Sequence, residues 1–370
     1  MNQFGNWARS VSRALMIAGI AGTMMAVSAQ VHASECGLSC CIAAGVEGVG
    51  SSEGFSMSAQ YDWMKMQTIL RGTVEVSPTQ AITDALAGKT GMYSVPTKMI
   101  MQKYSVNMNY RMDENNAFVL TVPYIINDMD MMMGMRMMLP TNPITYSNMT
   151  METIKGLGDV SLVYLRDLYK DTDMRTRQRI SMGVGIKAPT GKHTHRSASG
   201  DLVHMMMQTG TGSWDALLLL NGTLGFGDHE DGGALWLLSP SLTYQYNMRN
   251  DLGYKVGNRL NYDVSARYRL TSAFNVKLDL KGVWAGKDST DGTVDTSSPT
   301  SRVAYQNPNS MIDNVANTGI NSLFIAPGFQ WIAAPGWIFS GEYRMPIFQN
   351  AGGIQQVTDQ WFLLRAAVRF

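Results

Sequence analysis

The sequence predicts an all-β fold, a transmembrane antiparallel up-and-down β-barrel of about 12 strands, and three observations carry that prediction. The last stretch, 360–370, alternates strictly: Phe362, Leu364, Ala366, Val368 and Phe370 share one face, while Leu363, Arg365, Ala367 and Arg369 share the other. Period-two alternation sends those sets to opposite sides of a sheet, one toward lipid and one toward water. Apolar residues make up 45% of the chain, yet the mean hydropathy is only −0.10, so they are dispersed rather than gathered into runs. The links between candidate strands also alternate between short and long, the pattern of an even-stranded barrel with turns at one rim and loops at the other.

The chain opens with features of an export leader. Arg9 and Arg13 precede an apolar run over 14–29, and Val31-His32-Ala33 suits a cleavage site, so residues 1–33 are expected to be a signal peptide. The run falls short of the roughly 20 apolar residues of a helical span. Residues 34–54 are glycine-rich and carry Cys36, Cys40 and Cys41, a flexible lead-in or lumen plug. C-x-x-x-C-C matches no zinc spacing, so one disulfide with a spare thiol is preferred there to a metal site.

Residues 55–370 supply the barrel. Candidate strands fall at 55–66, 99–110, 117–126, 157–169, 178–187, 214–226 and 234–246, from about 260 and from about 274, and at 319–332, 337–348 and 360–370. The eighth is the clearest: Leu260, Tyr262, Val264, Ala266 and Tyr268 oppose Asn261, Asp263, Ser265, Arg267 and Arg269. Residues 67–97 read as irregular, 127–155 as a methionine-rich loop and 349–358 as a loop. Strands this long exceed the 5–6 residues usual in soluble proteins. Closure is required, because no unpaired backbone edge can face hydrocarbon.

Alternation places Lys187, Arg267, Arg269, Lys277, Asp279, Lys281, Arg365 and Arg369 on the lumen side, along with Leu217, Leu219, Leu235 and Leu237. Inward charges set ion preference in a narrow pore, or satisfy one another in a filled one. The leucines suit a greasy solute or a seat for the N-terminal segment.

Methionine is the compositional outlier, with 29 residues. Met129, Met131, Met132, Met133, Met135, Met137 and Met138 crowd one long link; His193, His195, His204, Met205, Met206 and Met207 crowd the next. Thioether and imidazole together favour copper, so a copper-binding outer surface is one reading. Flexible apolar filler is the other. His195 and Ser197 have the spacing of some outer-membrane phospholipases, but Ala198 follows where an asparagine is expected, and no group orients the histidine. No enzyme is expected.

Three stretches carry a resemblance. Gly156-Leu157-Gly158-Asp159-Val160, Lys187-Ala188-Pro189-Thr190-Gly191 and Gly210-Thr211-Gly212-Ser213-Trp214-Asp215 are similar, in order and spacing, to the outer-membrane family named for the meta-pathway of phenol degradation. The resemblance extends from about Phe55 to Phe370. It implies a transport barrel, often for hydrophobic or aromatic solutes, with no shared catalytic residues. The methionines and the cysteine cluster depart from the family pattern. The expected setting is the outer membrane of a Gram-negative cell, with lipid and a small solute as partners. A net charge of +1 without a basic run argues against nucleic acid, and no cofactor is expected unless it is copper.

Overall fold

The computed structural model describes residues 54–171, 178–230, 234–292, 303–334 and 336–370. The leader, the cysteine cluster and the proposed plug, up to residue 53, lie outside the described residues.

The wall consists of β1 (Gly54–Gly72), β3 (Gly91–Arg111), β4 (Asn116–Arg136), β7 (Val160–Lys170), β8 (Gln178–Ala188), β9 (Asp215–Asp228), β10 (Ala234–Asn247), β12 (Arg259–Arg269), β13 (Phe274–Ala285), β15 (Ile320–Ala334) and β16 (Trp337–Arg369). Each pairs antiparallel with its neighbours in that order, and β16 returns to pair with β1, closing the ring. β16 is 33 residues long and has two limbs. The first pairs with β15 as far as Ala351, and the second pairs with β1. Tyr343 stacks on Phe362 at 4.4 Å between the limbs, and Gln349 Nε2 donates to the Thr358 carbonyl at 3.0 Å. Counted by limbs, the wall has twelve segments.

Shorter elements decorate the long-link rim. They are β2 (Val74–Glu75), α1 (Pro78–Ala85), β5 (Thr145–Thr150), β6 (Ile154–Leu157), and the small sheet of β11 (Tyr254–Lys255) with β14 (Ser289–Thr290). Ser77 caps α1 by accepting from the Gln80 N–H, and Pro78 fixes the first turn.

The two faces of the wall are told apart by side chains of a single type. Along β9, Leu217 and Leu219 are 3% and 0% exposed, whereas Leu218 and Leu220 are 49% and 38% exposed. Alternation alone makes that difference, and it repeats at Leu363 and Leu364. The outward set is an apolar belt edged by aromatic pairs, Phe55 with Phe370 at one level and Trp63 with Phe362 at another.

Three expected loops are strand instead. β1 runs on to Gly72 and β3 starts at Gly91, so 67–97 is mostly strand and helix. β4 runs ten residues past Ile126, placing Met129, Met131, Met132, Met133 and Met135 on the wall. The 349–358 stretch belongs to β16. Past the apolar belt the outward positions are polar and part-exposed, as Lys98 and Asp130 are, or lie under rim elements, so the apolar-out alternation that marks a membrane strand no longer applies. Ile82 of α1 packs with Met132 and Ile144, for example.

Candidate channel lumen and its outer closure

The three glycine-bearing motifs meet at one point. Asp159, just before β7, Lys187 near the end of β8 and Asp215 at the start of β9 are nearly inaccessible. Lys187 Nζ lies 2.8 Å from Asp159 Oδ2 and 2.5 Å from Asp215 Oδ2. Asp159 also accepts from the Gly191 N–H at 3.0 Å, the Thr211 N–H at 2.9 Å and the Thr211 hydroxyl at 2.8 Å. Thr190 Oγ1 donates to the Gly158 carbonyl and accepts from the Val160 N–H. One carboxylate therefore clamps both ends of the link 189–214. The glycines make the clamp possible: a Cβ on Gly210 would overlap the Gly191 carbonyl, and Gly212 sits at φ +72°.

Clamped in this way, the link folds back over the inward face of the wall. The Asn127 amide donates to the Met207 carbonyl at 3.1 Å. Val203 and Met207 join a buried cluster with Met64, Met66, Met99, Met101, Met129 and Met131 of β1, β3 and β4, and with Trp361. A second packed group, Met205 with Tyr254, Val256, Ala304 and Tyr305, lies beside the same link.

Farther along the wall, the inner surface has two unlike arcs. On β4, β7 and β9, Ala117, Val119, Val163, Leu165, Leu217 and Leu219 form an apolar patch. On β13 and the first limb of β16, across the ring, lies an ionic one. Lys277 Nζ is 2.8 Å from both Glu342 and Asp279; Lys281 is 3.2 Å from Asp279; Arg344 is 2.5 Å from Glu342. Gly328 lies between Lys277 and Glu342 in register, and a side chain there would collide with the Gly341 carbonyl. Arg344 also stacks 4.0 Å above the Trp361 ring.

The other inward candidates lie elsewhere on the wall. Arg267 and Arg269 are half-buried, and Arg267 lies directly across from Lys277. Arg365 reaches Gln60 at 3.4 Å. Arg369 is exposed at the short-turn rim, and Leu235 and Leu237 are half-buried. Sequence reasoning missed Asp159, Glu342 and Arg344. The last two were visible as alternate residues in 337–348, and Asp159 as the one charge in its glycine motif.

The expected copper set is not assembled as a loop surface. Its five strand methionines are on β4, and Met137 and Met138 stand exposed at 60% and 86%. The histidines diverge: His193 to Asp251 at 2.6 Å, His195 to Thr209 at 3.3 Å, His204 to Asp313 at 2.7 Å. Met205 and Met207 enter different clusters, and Met206 packs against that of Met207. Ser197 Oγ contacts Ser199 at 2.7 Å, so the histidine and serine do not pair. Burial, and secondarily Lys192, holds the His195 pKa below the usual histidine value.

A closed antiparallel ring, apolar outside and polar within, is a transmembrane β-barrel of the outer-membrane type. Its fold matches an outer membrane channel from Pseudomonas putida F1 at a TM-score of 0.53, with 11% identity over 87% of this chain and 97% of that one. Two further solved structures score lower. The CymD monoaromatic hydrocarbon channel gives 0.38, at 10% identity over 89% of this chain and 97% of that one. The translocator domain of autotransporter NalP from Neisseria meningitidis gives 0.37, at 11% over 89% and 92%. Identities this low are a likeness of fold alone. No protein-family model and no curated protein matches the sequence.

Proposed function

We propose that the protein is an outer-membrane channel for small solutes with an apolar, typically aromatic, body and a polar tip. The observation that supports it best is the two-sided inner wall. The Val163–Leu219 arc is an apolar inner surface, and Lys277, Asp279, Lys281, Glu342 and Arg344 form a charged one across from it; both are packed closed in this structure, so a solute would reach them only once the interior opens. An apolar surface with a few convergent polar groups is the usual composition of a small-molecule site. Passage would be diffusive and gated by the link 189–214, with Arg267, Arg269, Arg365 and Arg369 biasing the inner mouth toward anions. In this reading the leader exports the chain, lipid surrounds the belt, and no catalysis occurs. The convergence of the three motifs on Asp159 favours kinship with the meta-pathway family.

The test is permeation of a permanently charged aromatic probe, benzenesulfonate, into proteoliposomes. Uptake should exceed that of protein-free vesicles and fall several-fold when Leu219→Asp places a charge in the apolar arc. Equal uptake with and without protein refutes the channel.

A further inference from the structure

The thioether cluster is not spread evenly over the interior. Strand register sets Met66 beside Met99 and Met99 beside Met129, with Met64 beside Met101 one inward position away. Direct cross-strand neighbours have Cβ atoms about 4.5–5.5 Å apart, within reach of flexible side chains meeting at one point. All five are buried, and Met207 of the clamped link packs onto them. Strand interiors ordinarily favour β-branched and aromatic residues. The apolar arc is built of alanine, valine and leucine and holds no methionine. Sulfur is therefore concentrated at one place. Met64 Sδ accepts a hydrogen bond from Thr358 Oγ1 at 3.3 Å, which engages one of its two lone pairs and leaves the other.

We propose that Met66, Met99 and Met129, with Met64, Met101 and Met207, form a site for a soft monovalent cation, Cu(I) or its analogue Ag(I). Thioethers select soft cations. Being neutral and unprotonated, they bind without releasing protons, unlike cysteine or histidine. Among the described residues no group of three or more His, Cys, Asp or Glu is arranged to hold a metal, so the site would pass over zinc and other harder ions. It lies within the barrel, beneath the closing link, and goes beyond the channel reading.

The full barrel, folded in detergent, is titrated with Ag(I). Tryptophan emission is followed, because Trp361 belongs to the cluster, and metal is counted in the gel-filtered protein. About one Ag(I) per chain is expected, weakened at least tenfold in M66L/M99L/M129L. Leucine nearly conserves the volume. If the triple variant does not fold, Met99→Leu alone should weaken binding several-fold. The lipid-facing variant M57L/M108L/M182L is the matched control and should bind as wild type does. No retained Ag(I), unchanged binding in the inner variants, or equal loss in the control overturns the site. The titration needs no permeation: a barrel that binds Ag(I) but excludes benzenesulfonate upholds the site and sinks the channel. One that passes benzenesulfonate without retaining Ag(I) does the reverse.

Discussion

The aliphatic patch on β4, β7 and β9 and the methionine patch on β1, β3 and β4 are both inward and both buried, yet they are held differently. The first is made wholly of wall residues, with Leu219 of β9 meeting Val163 and Leu165 of β7 over Gly183 of β8, where no side chain intervenes. The second is completed by Val203 and Met207, which arrive from a link fastened to Asp159. One patch is a property of the wall, the other of the wall and its fastening together. Changes at the clamp should therefore separate them.

Removing the clamp is the most damaging expected change. Asp159→Ala leaves Lys187 paired with Asp215 but strips the buried Gly191 and Thr211 N–H groups of their acceptor, which costs about 1–3 kcal/mol for each group. Urea unfolding should show that loss, and limited proteolysis should cut within 189–214 while the wall stays intact. Equal stability of variant and wild type would contradict the clamp. Leu219→Ala should cost about 3 kcal/mol by opening a cavity in the aliphatic patch, with the link as protease-resistant as before. Met99→Leu should change stability by less than about 1.5 kcal/mol; a larger loss would mean that packing alone accounts for the methionines.

The smallest effect expected is a pH dependence. The His195 pKa is depressed from 6.5 by burial and Lys192, so the opened link binds more protons than the closed one. Closure is then strongest above about pH 6.5 and weakens as the pH falls below it. Protease sensitivity of the link should rise modestly between pH 7 and pH 5, and His195→Gln should flatten that profile.

Much of the membrane-level wall was legible, because hydrocarbon on one side and side chains on the other impose alternation residue by residue. The inward and outward leucines of β9 follow it directly. β4 shows where legibility stops. Beyond Ile126 the outward positions become polar, Asp128 and Asp130, while methionines turn inward, so the apolar-out pattern is lost, and a run such as Met131-Met132-Met133 carries no alternation to read. The candidate site was legible only in halves. Lys187, Lys277 and Lys281 were visible as inward charges, but their partners Asp159, Asp215 and Glu342 lie on other segments. Only the ring order and register bring them together. Loop residues such as His193 and His204 have no periodicity, so their separate partners left no trace in the sequence.

The seam between β1 and the second limb of β16 joins the earliest described stretch of chain to the last. No shorter version of the ring can be sealed, since losing the final limb leaves two raw hydrogen-bonding edges rather than a narrower pore. Insertion is thus all or nothing: the chain must be delivered whole before any part of it can rest in lipid, and truncation from the C-terminal end should yield aggregates rather than a leaky barrel.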